Sequence, residues 1–179
     1  MPASAKRLDI LLHRTPLTPR HPGFTLIEMV AVLGIIAVLS LMALPSYLNR
    51  NVRKQIEAAL PLAEIAKPPV ALAWALTQTF PADNAAAGLP GAERIVNNTV
   101  SAVAVKDGAI HITFGNSVNT SIKGKILSLR PAVVEDTPIV PVAWVCGNGP
   151  TPDKMSVKGE NRTNVPGAFL PLECVARKP

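Results

Sequence analysis

Between Met29 and Asn49 the chain has no Asp, Glu, Lys, Arg or His. That absence excludes a helix with one solvated face, because such a face is built from charged and polar side chains. The short signatures of catalysis are missing as well. There is no G-x-S-x-G, no phosphate-binding loop, no H-E-x-x-H and no G-x-G-x-x-G. No catalytic residue is assigned, the chain is not expected to be an enzyme, and no cofactor or metal is expected. Of three His, only His111 lies beyond residue 23, and it reads as a side chain decorating a strand. The two cysteines, Cys146 and Cys174, form no C-x-x-C, which speaks against a structural zinc site. Asp83 and Asn84 lack the nearby acids that a calcium cage of six or more oxygens requires. The formal net charge is +6, but Lys6, Arg7, Arg14 and Arg20 outweigh Asp9 within residues 1–23 and supply half of it. What remains is a weak electrostatic case for any polyanion partner.

What the chain does have is the uncharged run itself. About 20 apolar residues in helical conformation match the roughly 30 Å hydrocarbon core of a bilayer. Helical hydrogen bonding would satisfy the backbone within the segment. At the head of the run sits one carboxylate, Glu28. A charge at the bilayer centre costs about 2.5–3.5 kcal/mol and less near an end, so this one calls for a partner. Phe24 and Glu28 are four residues apart and share a helix face, and Glu28 would fall in the first turn, where the helix dipole favours an acid. Pro16, Pro19 and Pro22 break any helix before this point. The basic first 23 residues fit a cytoplasmic flank.

The hexad Gly23-Phe24-Thr25-Leu26-Ile27-Glu28 heading an apolar helix resembles the N-terminus of type IV pilins and of their relatives in type II secretion. The resemblance implies a set of roles. A prepilin peptidase removes residues 1–23 by cutting after Gly23 and methylates the new N-terminus, Phe24. Glu28 is needed for assembly, where it meets the N-terminal amine of a neighbouring subunit. Pro45 kinks the helix; it lacks an amide proton and crowds the Leu41 carbonyl. The implied partners are other pilin subunits, the prepilin peptidase, the pilus assembly machinery and the inner membrane before assembly, with DNA or a host surface as further partners. The implied localisation is a single-pass inner-membrane precursor, then an extracellular pilus.

After the run the pattern becomes amphipathic. Val52, Ile56, Ala59 and Ala63 fall on one face, with Arg50, Arg53, Lys54, Glu57 and Glu64 around it. One helix is expected over residues 24–60, with Pro61 a second kink and Pro68-Pro69 a break or bend before an apolar helical stretch to Thr79. Residues 80–98 read as a loop marked by Gly88, Pro90 and Gly91, and Phe80-Pro81 through Leu89 resembles the helix-to-sheet connection of major pilins. From Thr99 the period becomes two. Strands are expected at Val100–Val105, Ala109–Phe114, Lys125–Arg130 and Val140–Cys146, with a tight turn at Lys106-Asp107-Gly108. Ile110, Ile112 and Phe114 point one way and His111 and Thr113 the other. The fold class is therefore α+β: a long N-terminal helix on a four-stranded antiparallel meander, one face of which packs on the helix.

Residues 147–179 are rich in Gly, Pro and polar residues, and two Cys in an exported domain read as one disulfide. Their setting also resembles the disulfide-bounded C-terminal loop of type IVa major pilins. The expected domains are 1–23 (leader), 24–48 (transmembrane and fibre-core helix), 49–79 (amphipathic continuation) and 80–179 (globular head). Two other readings share parts of this pattern. A type II secretion pseudopilin has the same N-terminus, but calcium would be expected there and the Cys-bounded loop argues against it. A DNA-binding minor pilin needs basic side chains on one face, for which Lys123, Lys125, Lys154, Lys158, Arg162, Arg177 and Lys178 are candidates. Asn97, Asn119 and Asn161 head N-x-[ST] triplets, to which no glycan is assigned.

Overall fold

A computed structural model describes residues 23–176, without the side chains of residues 43–46 and Leu48. The expected leader therefore lies, up to residue 22, outside the described residues, as do the side chain of Pro45 and the basic residues Arg177 and Lys178. The chain divides after Ser40 into two compact units, and each is described by itself.

In the first unit, Gly23 to Thr25 lead into helix α1, Leu26–Ala63. Every large apolar side chain from Leu26 to Met42 is exposed, from 43% at Val32 to 82% at Leu26. Ser40 fits this apolar stretch because its hydroxyl donates back to the Ile36 carbonyl at 2.7 Å. Among the described residues no single helix is long and apolar enough to cross a membrane; the apolar piece they define is Leu26–Met42. The expected span continues past it into residues 43–48.

The second unit holds the rest of α1, and there the expected amphipathic face is found. Val52 is 3% exposed, and Ile56, Ala59 and Ala63 are fully buried. The break after α1 comes one turn earlier than expected. Residues 64–66 form a turn, and helix α2 runs Lys67–Thr77 with Pro68 and Pro69 in its first turn. The reason is steric. A proline crowds the carbonyl four residues before it, so Pro68 and Pro69 exclude continuous helix at Glu64 and Ile65, yet both fit the first turn of a new helix. The helical stretch Asn49–Ala63 meets α2 at 46°. The pair is apolar enough to resemble a membrane segment, but its apolar face continues through Ala66, Val70 and Trp74 into the protein core. α2 ends two residues before the expected Thr79, where Gln78 turns left-handed (φ 53°) and its N–H caps the Trp74 carbonyl.

Strands β1 (Val100–Lys106), β2 (Ala109–Phe114), β3 (Ile126–Val133) and β4 (Ala143–Cys146) form an antiparallel meander in that order. Asp107 (φ 48°) and Gly108 (φ 81°) make a two-residue hairpin turn in which both central residues are left-handed, the form that matches strand twist. β3 runs farther than expected, through Pro131. β2 pairs with β3 only as far as Leu129, so the missing donor of Pro131 disrupts no β2 ladder. β4 is shorter than expected because Pro141 cannot donate to a ladder. A fifth strand absent from the sequence expectation, β5 (Ser156–Val157), pairs with the end of β3. Phe114, Ile110, Ile112, Ile122, Leu127 and Leu170 fill the core with Ile56.

Cys146 and Cys174 are disulfide-bonded, with Cα atoms 4.5 Å apart. The chain around the bond is closely packed. Asn148 N–H donates to the Cys174 carbonyl at 2.9 Å, and a Cβ on Gly149 would run into the Glu173 carbonyl oxygen. The second face of the sheet is not left to solvent. His111, expected to point outward, does lie on the face opposite Ile110 and Ile112, but it is only 3% exposed, because the segment 156–164 covers it.

Candidate functional site

The N-terminal segment holds the first group of expected site residues. Gly23 and Phe24 precede α1, and Phe24 is 77% exposed. Among the described residues a Cβ added to Gly23 would meet nothing within 4 Å, so their packing gives no reason for a glycine there. Glu28 lies in the first turn of α1, exposed, where the helix N-terminus favours its charge. The turn is held by Thr25, whose hydroxyl accepts the Glu28 backbone N–H at 3.3 Å, while its carbonyl accepts the Met29 N–H at 3.2 Å. This is one half of a capping box, and its signal, Thr25-x-x-Glu28, is plain in the sequence although it was not among the expected features. Phe24 and Glu28 are thus presented together at the start of a helix whose surface is apolar as far as Met42. A helix of that kind is buried in lipid or among other helices.

The head has, among the described residues, no comparable cluster of functional groups. Among the described residues no three His, Cys, Asp or Glu lie close enough to hold a metal. Asn84 is a structural clamp. Its side-chain amide donates to the carbonyls of Pro90 (2.9 Å) and Val103 (3.0 Å), and its oxygen accepts the Val105 N–H at 2.6 Å. Asn116 likewise donates to the Val100 carbonyl at 2.9 Å. These bonds occupy the outer edge of β1, which would otherwise offer a template for another strand. Asp83 accepts the Ala86 N–H at 2.8 Å. The asparagines of the three N-x-[ST] triplets each close a local turn: Asn97 onto Thr99, Asn119 onto Ser121 and Asn161 onto Thr163. Among the basic candidates, Lys158 pairs with Glu135 at 2.6 Å and Arg162 approaches Glu160 at 3.9 Å, which weakens the charge available to a polyanion.

His111 Nδ1 lies 2.9 Å from the Ser128 hydroxyl, and both side chains are buried. Burial holds the imidazole below its ordinary pKa; Arg162 and Lys106 push the same way, while Glu160 opposes them. An inaccessible His–Ser pair of this kind is a structural link, not a nucleophile and its base.

The family described as pilin (bacterial filament) matches residues 52–175, and the prokaryotic N-terminal methylation motif matches residues 19–44. The chain belongs to the pilin family. A fimbrial protein of Neisseria meningitidis serogroup B is 34% identical over 142 residues, covering 79% of this chain and 81% of its own. A type IV major pilin protein PilE of Neisseria gonorrhoeae is 36% identical over 126 residues, covering 70% and 73%. The fimbrial protein EcpC of Eikenella corrodens is 33% identical over 129 residues, covering 70% and 82%. As a type IV pilin the chain is a structural subunit that assembles with other pilin subunits into a surface fibre, from a membrane-anchored precursor. The pseudopilin and DNA-binding readings are not favoured by these relatives.

Proposed function

We propose that this pilin is a major subunit of a type IV pilus, held by one helix in the inner membrane until the assembly machinery draws it into the fibre. The prepilin peptidase removes residues 1–23 and methylates Phe24. The observation that carries this reading is the exposure of every large apolar side chain from Leu26 to Met42. Those side chains need lipid first and neighbouring helices later. Gly34 supports the second stage. It sits in an apolar groove with Ala31, Ile35, Val38 and Leu39, and small residues on a helix face let a second helix approach closely. Glu28 pairs with the amine of a neighbour's Phe24, and Pro45 bends the helix. Residues 49–77 and the head, up to the Cys146–Cys174 loop, form the part outside the bilayer. The pilin is not an enzyme; its work is assembly, with adhesion, motility or DNA uptake as roles of the finished fibre.

The lack of any packing demand at Gly23 from the described residues supports an external reader of that glycine. A Gly23→Leu variant should reach the membrane and accumulate as uncut precursor on a denaturing gel, with no fibre in the sheared fraction. Cutting at the normal rate would remove Gly23 from the recognition site.

A further inference from the structure

The segment 156–164 lies across β3 as a strap, and most of its ties run through side chains. The Lys158 N–H donates to the Pro131 carbonyl at 2.8 Å. The Arg162 N–H donates to the Ser128 hydroxyl at 2.9 Å, and the Ser128 N–H donates to the Thr163 hydroxyl at 3.0 Å. Asn164 exchanges two bonds with Ile126, one through its side chain and one through its backbone. Underneath sits His111, whose Nδ1 meets the same Ser128 hydroxyl. That hydroxyl has one proton. It accepts from the Arg162 N–H, and with the ring proton on Nε2 it donates its own proton to His111 Nδ1. Nε2 is itself buried and has no partner.

We infer that His111 makes this strap acid-releasable: a proton on its ring breaks the Ser128 relay and frees residues 161–164 from the sheet, while the β5 ladder holds residues 156–157. A protonated ring can no longer accept from Ser128 at Nδ1, so the serine proton loses its acceptor. The ring also becomes a buried cation whose second N–H has no acceptor, and such a group is costly until water reaches it. The charged groups around it do not compensate. From the strap, Arg162 repels the imidazolium and Glu160 attracts it; from β1, Lys106 repels it. β3 contributes the neutral Ser128 and, two residues on along the same face, Arg130, whose guanidinium donates to the Gly147 carbonyl at 3.3 Å. Opening admits water and separates the ring from Arg162. Because the strap lies inside the loop closed by Cys146 and Cys174, the release is local and reversible. The sign follows from burial lowering the pKa of the ring in the closed state. The open state binds the proton more readily, so the closed strap is fully favoured above the ordinary histidine value of about 6.5. It weakens as pH falls below that, roughly tenfold per unit until the ring of the closed state is itself protonated.

His111 is the only histidine after residue 23, so its titration can be followed without overlap in the processed full-length subunit in detergent. The test is amide hydrogen-exchange protection, corrected for intrinsic rates, between pH 8 and pH 5. Protection of Arg162 and Ser128 should fall about tenfold or more on acidification, while that of Val105 and Ile112 stays constant. In His111→Asn, whose side-chain oxygen can accept from Ser128 but takes no proton, the strap should remain protected at both pH values. Ser128→Ala serves as the second variant: its strap should already exchange fast at pH 8, with little further change at pH 5. Unchanged strap protection in the wild type would overturn the inference. So would a pH dependence that survives in either variant.

Discussion

Glu28 is an exposed acid in a helix that has no structural use for one. Its charge is favoured by the helix N-terminus, and its backbone N–H is held by the Thr25 hydroxyl, but neither requires a carboxylate. In a fibre interior an unpaired Glu28 and an unpaired amine would each be costly, and pairing them rejects a wrong axial register. Glu28→Val should therefore leave the processed subunit in the membrane fraction and cut the yield of sheared fibre by about tenfold or more, which corresponds to about 1.4 kcal/mol of lost pairing. Normal fibre yield would remove Glu28 from assembly, and loss of the processed subunit would assign it to targeting or cleavage. Cys174→Ser belongs to the same scale. Releasing a closed loop whose ends are 28 residues apart should cost about 3–4 kcal/mol and make residues 147–173 sensitive to protease. Unchanged stability to denaturant would show that the tight backbone contacts at Asn148 and Gly149 suffice without the bond.

At the scale of elements, the buried stripe from Val52 to Ala63 was legible because a period of 3.6 survives any uncertainty about where the helix ends. Ile56 is its fully buried centre. Ile56→Ala should destabilise the head by about 2–5 kcal/mol, read as a lower midpoint in urea, without loss of membrane insertion. A shift of a few tenths of a kcal/mol would mean the helix is not packed on the sheet. The hairpin at Asp107-Gly108 was legible for a similar local reason. What was not legible depends on partners distant in sequence. The Pro68-Pro69 break was expected at the prolines and lies upstream of them, because a proline acts on the carbonyl four residues back. β5 is two residues long and exists through Ala132 and Val133. His111 alternates correctly with Ile110 and Ile112, but nothing in its own strand announces that residues 156–164 will cover it. Asn84 was weighed in sequence only as an oxygen ligand and set aside for want of nearby acids; the edge of β1 that it occupies lies about 20 residues away.

For the whole molecule, the two units divide the labour that the pilin family implies. The head is closed to association through β1, whose edge is occupied by Asn84 and Asn116. The helix from Leu26 to Met42 is open to association over its whole surface. In the assembly we propose, that helix is buried, with Phe24 and Glu28 at its leading end. The most direct test is intact-mass and N-terminal analysis of the subunit in sheared surface fibre. The expected result is this chain as the bulk component, beginning at methylated Phe24, with Cys146 and Cys174 oxidised. A fibre subunit that retains residues before Phe24, or a fibre from which this chain is missing, would contradict it.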